Sequence, residues 1–186
     1  MSVDLDPHLE EPIHEQQVAP PLTGPLTRFN RTIARFGMYA AVIGLLVIVG
    51  IVFYQVFGRY VLNSSPTWTE SLALVLVLYV TLIAAAVGVR DAGHIGMESL
   101  LVLLSDHARE RVELVIHALV LMFGAAMVYN GFVLGQSVIT YRIANLNVSE
   151  AVRYVPLVIS GALIVLFSIE HIIALLRGAE VEPAWH

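Results

Sequence analysis

The chain has no cysteine and no lysine, and only 13% of its 186 residues are charged. Without cysteine there is no disulfide, no zinc thiolate site and no cysteine-ligated iron–sulfur cluster. The basic residues are arginines alone, outnumbered by the acids to a formal net charge of −5, so there is no electrostatic footprint for nucleic acid. Soluble domains average about 25% charged residues, well above this chain. No phosphate-binding glycine loop, no nucleophile beside a base and no pair of catalytic carboxylates occurs in the sequence. The reading is therefore not an enzyme, with no catalytic residue, no cofactor and no metal ligand expected.

What the chain does have is apolar length, with 58% of its residues hydrophobic. Residues 36–57 form the first long apolar run, and at a rise of ~1.5 Å per residue they cross a hydrocarbon core of ~30 Å. Further spans are expected at 68–89, 112–135 and 154–176, the last with Pro156 in its first turn, where a missing amide costs little. The connection at 58–67 is short, which makes spans one and two antiparallel neighbours. Span two has two possible starts. Ser65 before Pro66 suits an N-cap with proline at the first helical position, while Thr67 and Glu70 fit a capping box. Residues 98–106 are apolar but too short to cross, and read as an amphipathic arm along the interface. The connection at 136–153 is more polar, with room for a short helix or a partly inserted segment. The expected fold is an all-α integral membrane protein: four transmembrane helices over 28–177 plus the interfacial arm, in a small helical bundle.

The flanks are of different material. Residues 1–27 carry Asp4, Asp6, Glu10, Glu11 and Glu15 with no lysine or arginine, and hold Pro7, Pro12, Pro20, Pro21 and Pro25. Such a segment buries too little apolar surface to offset its ordering entropy, and it lacks the basic start and apolar core of a signal peptide. It reads as a disordered acidic tail. Residues 178–186 form a short C-terminal tail. Arg28, Arg31, Arg35, Arg90, Arg109, Arg111 and Arg177 fall on one side of the four spans; Arg59, Arg142 and Arg153 fall on the other. By the positive-inside rule the first side is cytoplasmic, so both termini face the cytoplasm and the 58–67 turn faces outward.

Ionisable groups within a bilayer mark function by default. His117 lies about two turns into span three, and Glu170 and His171 about two turns from the end of span four, so antiparallel spans bring them to one depth. Two histidines on adjacent helices suit axial haem ligation, and a haem-binding electron-transfer subunit using His117 and His171 is one alternative. The blander reading is a Glu–His contact or snorkelling to the interface, and it is preferred because the central stretches offer no further cofactor-supporting residues. A small homodimeric transporter is another alternative, but no carboxylate sits at the middle of a span. Small residues recur at packing spacing in Ala40/Gly44, Ala84/Gly88 and Gly131/Gly135. Arg59, Trp68 and Glu70 cluster at the outward turn; singly they read as an interfacial anchor, an aromatic belt residue and a helix cap.

Together these residues carry a resemblance. Arg59-Tyr60-Val61-Leu62-Asn63, then Pro66-x-Trp68-x-Glu70, then Gly88-Val89-Arg90, then Gly93-His94-Ile95-x-Met97-Glu98 closely resemble the small, DctQ-like membrane subunit of tripartite ATP-independent periplasmic (TRAP) transporters. The resemblance covers about residues 30–176. It departs at Ser71, where the family usually has a second acid after Glu70, and at the apolar 72–78 stretch, where a basic residue is common. The resemblance implies a non-catalytic scaffold in the bacterial inner membrane. Its partners would be a large multi-span permease subunit and a periplasmic substrate-binding protein. The system would import an organic acid such as a dicarboxylate on an ion gradient, typically sodium. On this reading Arg59, Trp68 and Glu70 order the outward hairpin, and Arg90 and His94 set the other end of span two.

Overall fold

The computed structural model describes residues 22–64, 66–91, 106–179, 181 and 183–184. His94, residues 98–105 of the expected arm and residues 1–21 of the acidic tail lie outside the described residues. Four helices carry the structure: α1 (Pro25–Tyr60), α2 (Thr67–Asp91), α3 (Asp106–Ser137) and α4 (Val155–Leu176). All four are long and apolar enough to cross a membrane. The protein is all-α among its described residues, with a single isolated antiparallel bridge between Arg142 and Ser149.

Each boundary has a local cause. Pro25 stands in the first turn of α1, where its fixed φ is already helical, and the backbone ladder opens with Arg28 N–H donating to the Gly24 carbonyl (3.1 Å). The helix thus starts well before Phe36 and carries Arg28, Arg31 and Arg35 on its first turns. Thr27, placed in the tail by the sequence reading, is buried in it. After Tyr60 the chain reverses. Asn63 takes a left-handed conformation (φ 49°), which asparagine tolerates better than most residues. Gly58 makes the reversal possible, because a Cβ there would lie 2.9 Å from the Ser64 carbonyl oxygen. α2 then begins at Thr67, just past Pro66, so Thr67 is inside the helix rather than its cap. No hydrogen bond of a Thr67–Glu70 capping box forms among the described residues; Thr69 Oγ donates to the Pro66 carbonyl instead (2.6 Å).

The connection from α3 to α4 is compact. Ile143 N–H donates to the Val148 carbonyl (2.9 Å) and Glu150 N–H to the Tyr141 carbonyl (2.8 Å), closing a small loop turned by Asn145 and Asn147 at positive φ. Ser149 ends the loop, accepting from Ala151 N–H (3.2 Å) and capping a 3₁₀ turn at Glu150–Arg153. That turn is the short helix expected in this connection.

The helices are laid side by side. α3 packs on α4, α4 on α2, and α2 on α1, while α1 and α4 meet over a short stretch and α1 and α3 share no packed seam. The result is an open helical bundle, row-like except where the first turns of α1 reach α4. Backbones approach closely where Gly124 of α3 crosses Gly161 of α4: a Cβ on Gly161 would lie 2.8 Å from the Gly124 carbonyl oxygen. Of the small pairs read from the sequence, Gly44 and Gly131 sit in seams, where a Cβ would come within 2.6 Å of Val80 and 2.9 Å of Val158. Gly88 faces open space. A row leaves broad apolar faces. Phe36, Leu46 and Phe53 on α1 and Phe123, Tyr129 and Phe132 on α3 are all exposed.

Candidate functional site

The most chemically loaded place in the protein is where α1, α2 and α4 converge. Arg90 lies in the last turn of α2, a position from which an arginine commonly reaches out to water. Here it turns inward and is 1% exposed. Its guanidinium meets Glu170 of α4 through Nε to Oε2 (3.2 Å) and Nη2 to Oε1 (3.3 Å), and Asp91 through Nη1 to Oδ1 (3.0 Å). The planar fork fits this: two edges serve two carboxylates. Asn30 of α1 completes the cluster, its Nδ2 donating to Glu170 Oε2 (2.9 Å). Glu170 and Asn30 are fully buried.

Charges taken out of water survive only when paired and hydrogen-bonded. Glu170 meets that condition, with both its oxygens engaged by Arg90 and one also by Asn30. The snorkelling or Glu–His contact expected from the sequence is replaced by this ion pair. The reason is that α4 is the most enclosed of the four helices and presents Glu170 to α2 and α1 rather than to the interface.

The two histidines do meet. The rings of His117 and His171 stack face to face, centroids 4.6 Å apart and planes 6° apart. An axially ligated iron lies in the plane of each imidazole, along a nitrogen lone pair. Two rings stacked on their faces cannot aim at one iron between them. His171 Nε2 also lies 3.0 Å from the Arg90 carbonyl oxygen, which can only accept, so this nitrogen carries the proton and points away from any shared ligand. The haem geometry is not met.

At the far end of α2 the outward-turn residues are less interconnected. Arg59 and Glu70 are both exposed, and no ion pair joins them among the described residues. Trp68 is 41% exposed and its ring lies 6.4 Å from that of Tyr54, tilted by 36°. Ser71 donates to the Ala144 carbonyl (3.3 Å), and Tyr79 to the Val152 carbonyl (3.0 Å), tying α2 to the α3–α4 connection. An ionised carboxylate at position 71 would be an acceptor only and could not make the first of these bonds.

Sequence reasoning named Arg90 and Glu170 as separate features. Asn30, Tyr79 and the Arg90–Glu170 pairing went unread. Asn30 and Asp91 look like ordinary interfacial polar residues, and only a covariation signal would link positions so far apart. Two surface grooves among the described residues lie apart from this cluster. One of about 370 Å³, between α3 and α4, is bounded by Gly131, Phe132, Gln136 and Tyr154, and a neighbouring one by Ala125, Tyr129, Phe132 and Leu166.

Four membrane-length helices, with the buried charges of α2 and α4 paired to each other, describe a multi-pass membrane protein. Residues 48–178 match the family model described as tripartite ATP-independent periplasmic transporters, DctQ component, and the chain belongs to that family. It is similar to the sialic acid TRAP transporter small permease protein SiaQ of Vibrio cholerae, with 24% identity over 124 residues, which cover 67% of this chain and 72% of that protein. The chain is thus a TRAP small permease subunit: a transporter component, not an enzyme.

Proposed function

We propose that this subunit is the fixed scaffold of a bacterial inner-membrane importer of an organic acid. A separate large permease subunit carries the substrate and ion sites, an ion gradient (sodium) drives uptake, and a periplasmic binding protein delivers the substrate. The observation that carries the reading is the family match across all but the first part of the membrane region. The geometry supports it in two ways. The buried ionisable groups of α2 and α4 are paired with each other rather than arranged along a path. The row also offers wide apolar faces on α1 and α3 for lipid and for a larger partner. The related small permease serves sialic acid, itself a carboxylic acid, which supports the substrate class without naming a substrate.

The arginine distribution supports an orientation with both ends of the membrane domain in the cytoplasm, so that the Arg90 cluster lies on the cytoplasmic side and Arg59, Trp68 and Glu70 on the periplasmic side. In that orientation Glu70, exposed and free of the capping role, is available to a partner at the outward hairpin. Glu70→Gln is expected to leave folding of the subunit unchanged within about 0.5 kcal/mol, as for a surface position. Uptake by the assembled transporter should fall. Unchanged uptake would remove Glu70 from any partner contact.

The test of the whole reading is co-purification from the native membrane. A stoichiometric, many-span hydrophobic partner is expected. A chain that purifies only with itself, and that takes up an organic acid in liposomes alone, would replace the scaffold with a small homodimeric transporter.

A further inference from the structure

The C-terminal segment after α4 does not leave the protein. Gly178 takes a left-handed conformation (φ 60°), and Ala179 N–H returns to the Ala174 carbonyl (3.0 Å), so the helix is closed off and the chain turns back. Val181 is then buried with Leu22 and Ala174. Ala184 is fully buried in the apolar cluster of Ala34, Val87 and Phe167, which takes one residue from each of α1, α2 and α4. Its backbone is held at both polar groups. Its N–H donates to Asp91 Oδ1 (3.1 Å), and its carbonyl accepts from Arg35 Nε (3.2 Å) and Nη2 (3.0 Å).

Asp91 Oδ1 is the same oxygen that Arg90 contacts. The segment therefore closes the mouth of the buried ion pair while bridging α1 to α2. α1 packs along α2 and meets α4 over a short stretch, and Asn30 and the Ala184 bridge add polar ties at its first turns.

We propose that the segment around Val181 and Ala184 is a strap: it latches the N-terminal turns of α1 to α2 and α4 and seals the Arg90–Glu170 pair from water. Releasing it frees the first turns of α1 while leaving the α3–α4 seam intact.

The absence of cysteine allows a clean test in the full protein, reconstituted in lipid nanodiscs with whatever partner co-purifies. Ala34→Cys places a thiol beneath Ala184, and Ser160→Cys places one in a fully buried site on α4 remote from the strap. Each is probed with a polar maleimide, in the complete chain and in a chain ending at Gly178. The expected result is a rise of about tenfold or more in labelling at position 34 on truncation, with position 160 unchanged, as for opening of one local unit. Equal labelling at position 34 in both chains overturns the strap. Should truncation expose both positions, Arg35→Met decides. It keeps the segment but removes two of its hydrogen bonds, and faster labelling at position 34 alone supports the strap, while an unchanged rate there overturns it.

Discussion

Replacing Glu170 by glutamine keeps the shape of the side chain and removes its charge. Among the described residues, Arg90 then faces one carboxylate in place of two, that of Asp91 at 3.0 Å. Removing one member of a buried ion pair costs ~3–5 kcal/mol, because the other charge stays buried and uncompensated. Asp91 supplies part of the compensation, and the amide oxygen of glutamine still accepts from Asn30, so the lower end applies, about 3 kcal/mol. For a chain of this size that corresponds to a melting shift of roughly 6–12 °C. The assay is thermal denaturation of the purified subunit, read as loss of the monodisperse species, for Glu170→Gln, Arg90→Met and Arg90→Met/Glu170→Leu. The double variant should lose less than the two single losses summed, since neither Arg90 nor Glu170 is left without the other, while Asp91 stays buried with the Ala184 N–H as its partner among the described residues. Losses that simply add in the double variant would refute the reasoning, because residues that do not interact contribute independently.

Gly161→Leu should destabilise by about 1–3 kcal/mol and weaken the α3–α4 seam, since its Cβ alone would lie 2.8 Å from a backbone oxygen; Gly88→Ala, with nothing within 4 Å, should be neutral or stabilising by up to ~1 kcal/mol, both read by thermal denaturation. Tyr79→Phe removes the hydrogen bond to the Val152 carbonyl, with an expected loss of about 1 kcal/mol and faster amide exchange in the Glu150–Arg153 turn. The subunit purified from haem-replete cells should show no Soret absorption, given the stacked rings of His117 and His171; a Soret band lost in His171→Ala would contradict that geometry.

The membrane class, the four spans and the family were legible in the sequence because each depends on local or near-local information. A span is a run of apolar residues matched to bilayer thickness, and the family motifs lie within one short stretch around the first hairpin and span two. The depth shared by His117 and His171 was also readable, since antiparallel helices of known length leave little freedom in register. What the chain order did not reveal were the partners across it. Nothing local shows that Arg90 turns inward to a glutamate on α4, that Asn30 joins them from α1, or that Ala184 returns to cover them. Arg90 at the end of a span has a ready interfacial alternative, and water and protein compete for it on nearly equal terms. Its choice is made by the enclosure that α1, α4 and the C-terminal segment build together, where an unpaired Glu170 would be too costly to leave. The open, row-like form of the bundle has the same origin. Apolar faces read alike whether they meet lipid or protein, so hydropathy identifies the helices, and only close backbone approaches such as Gly124 against Gly161 select which faces touch.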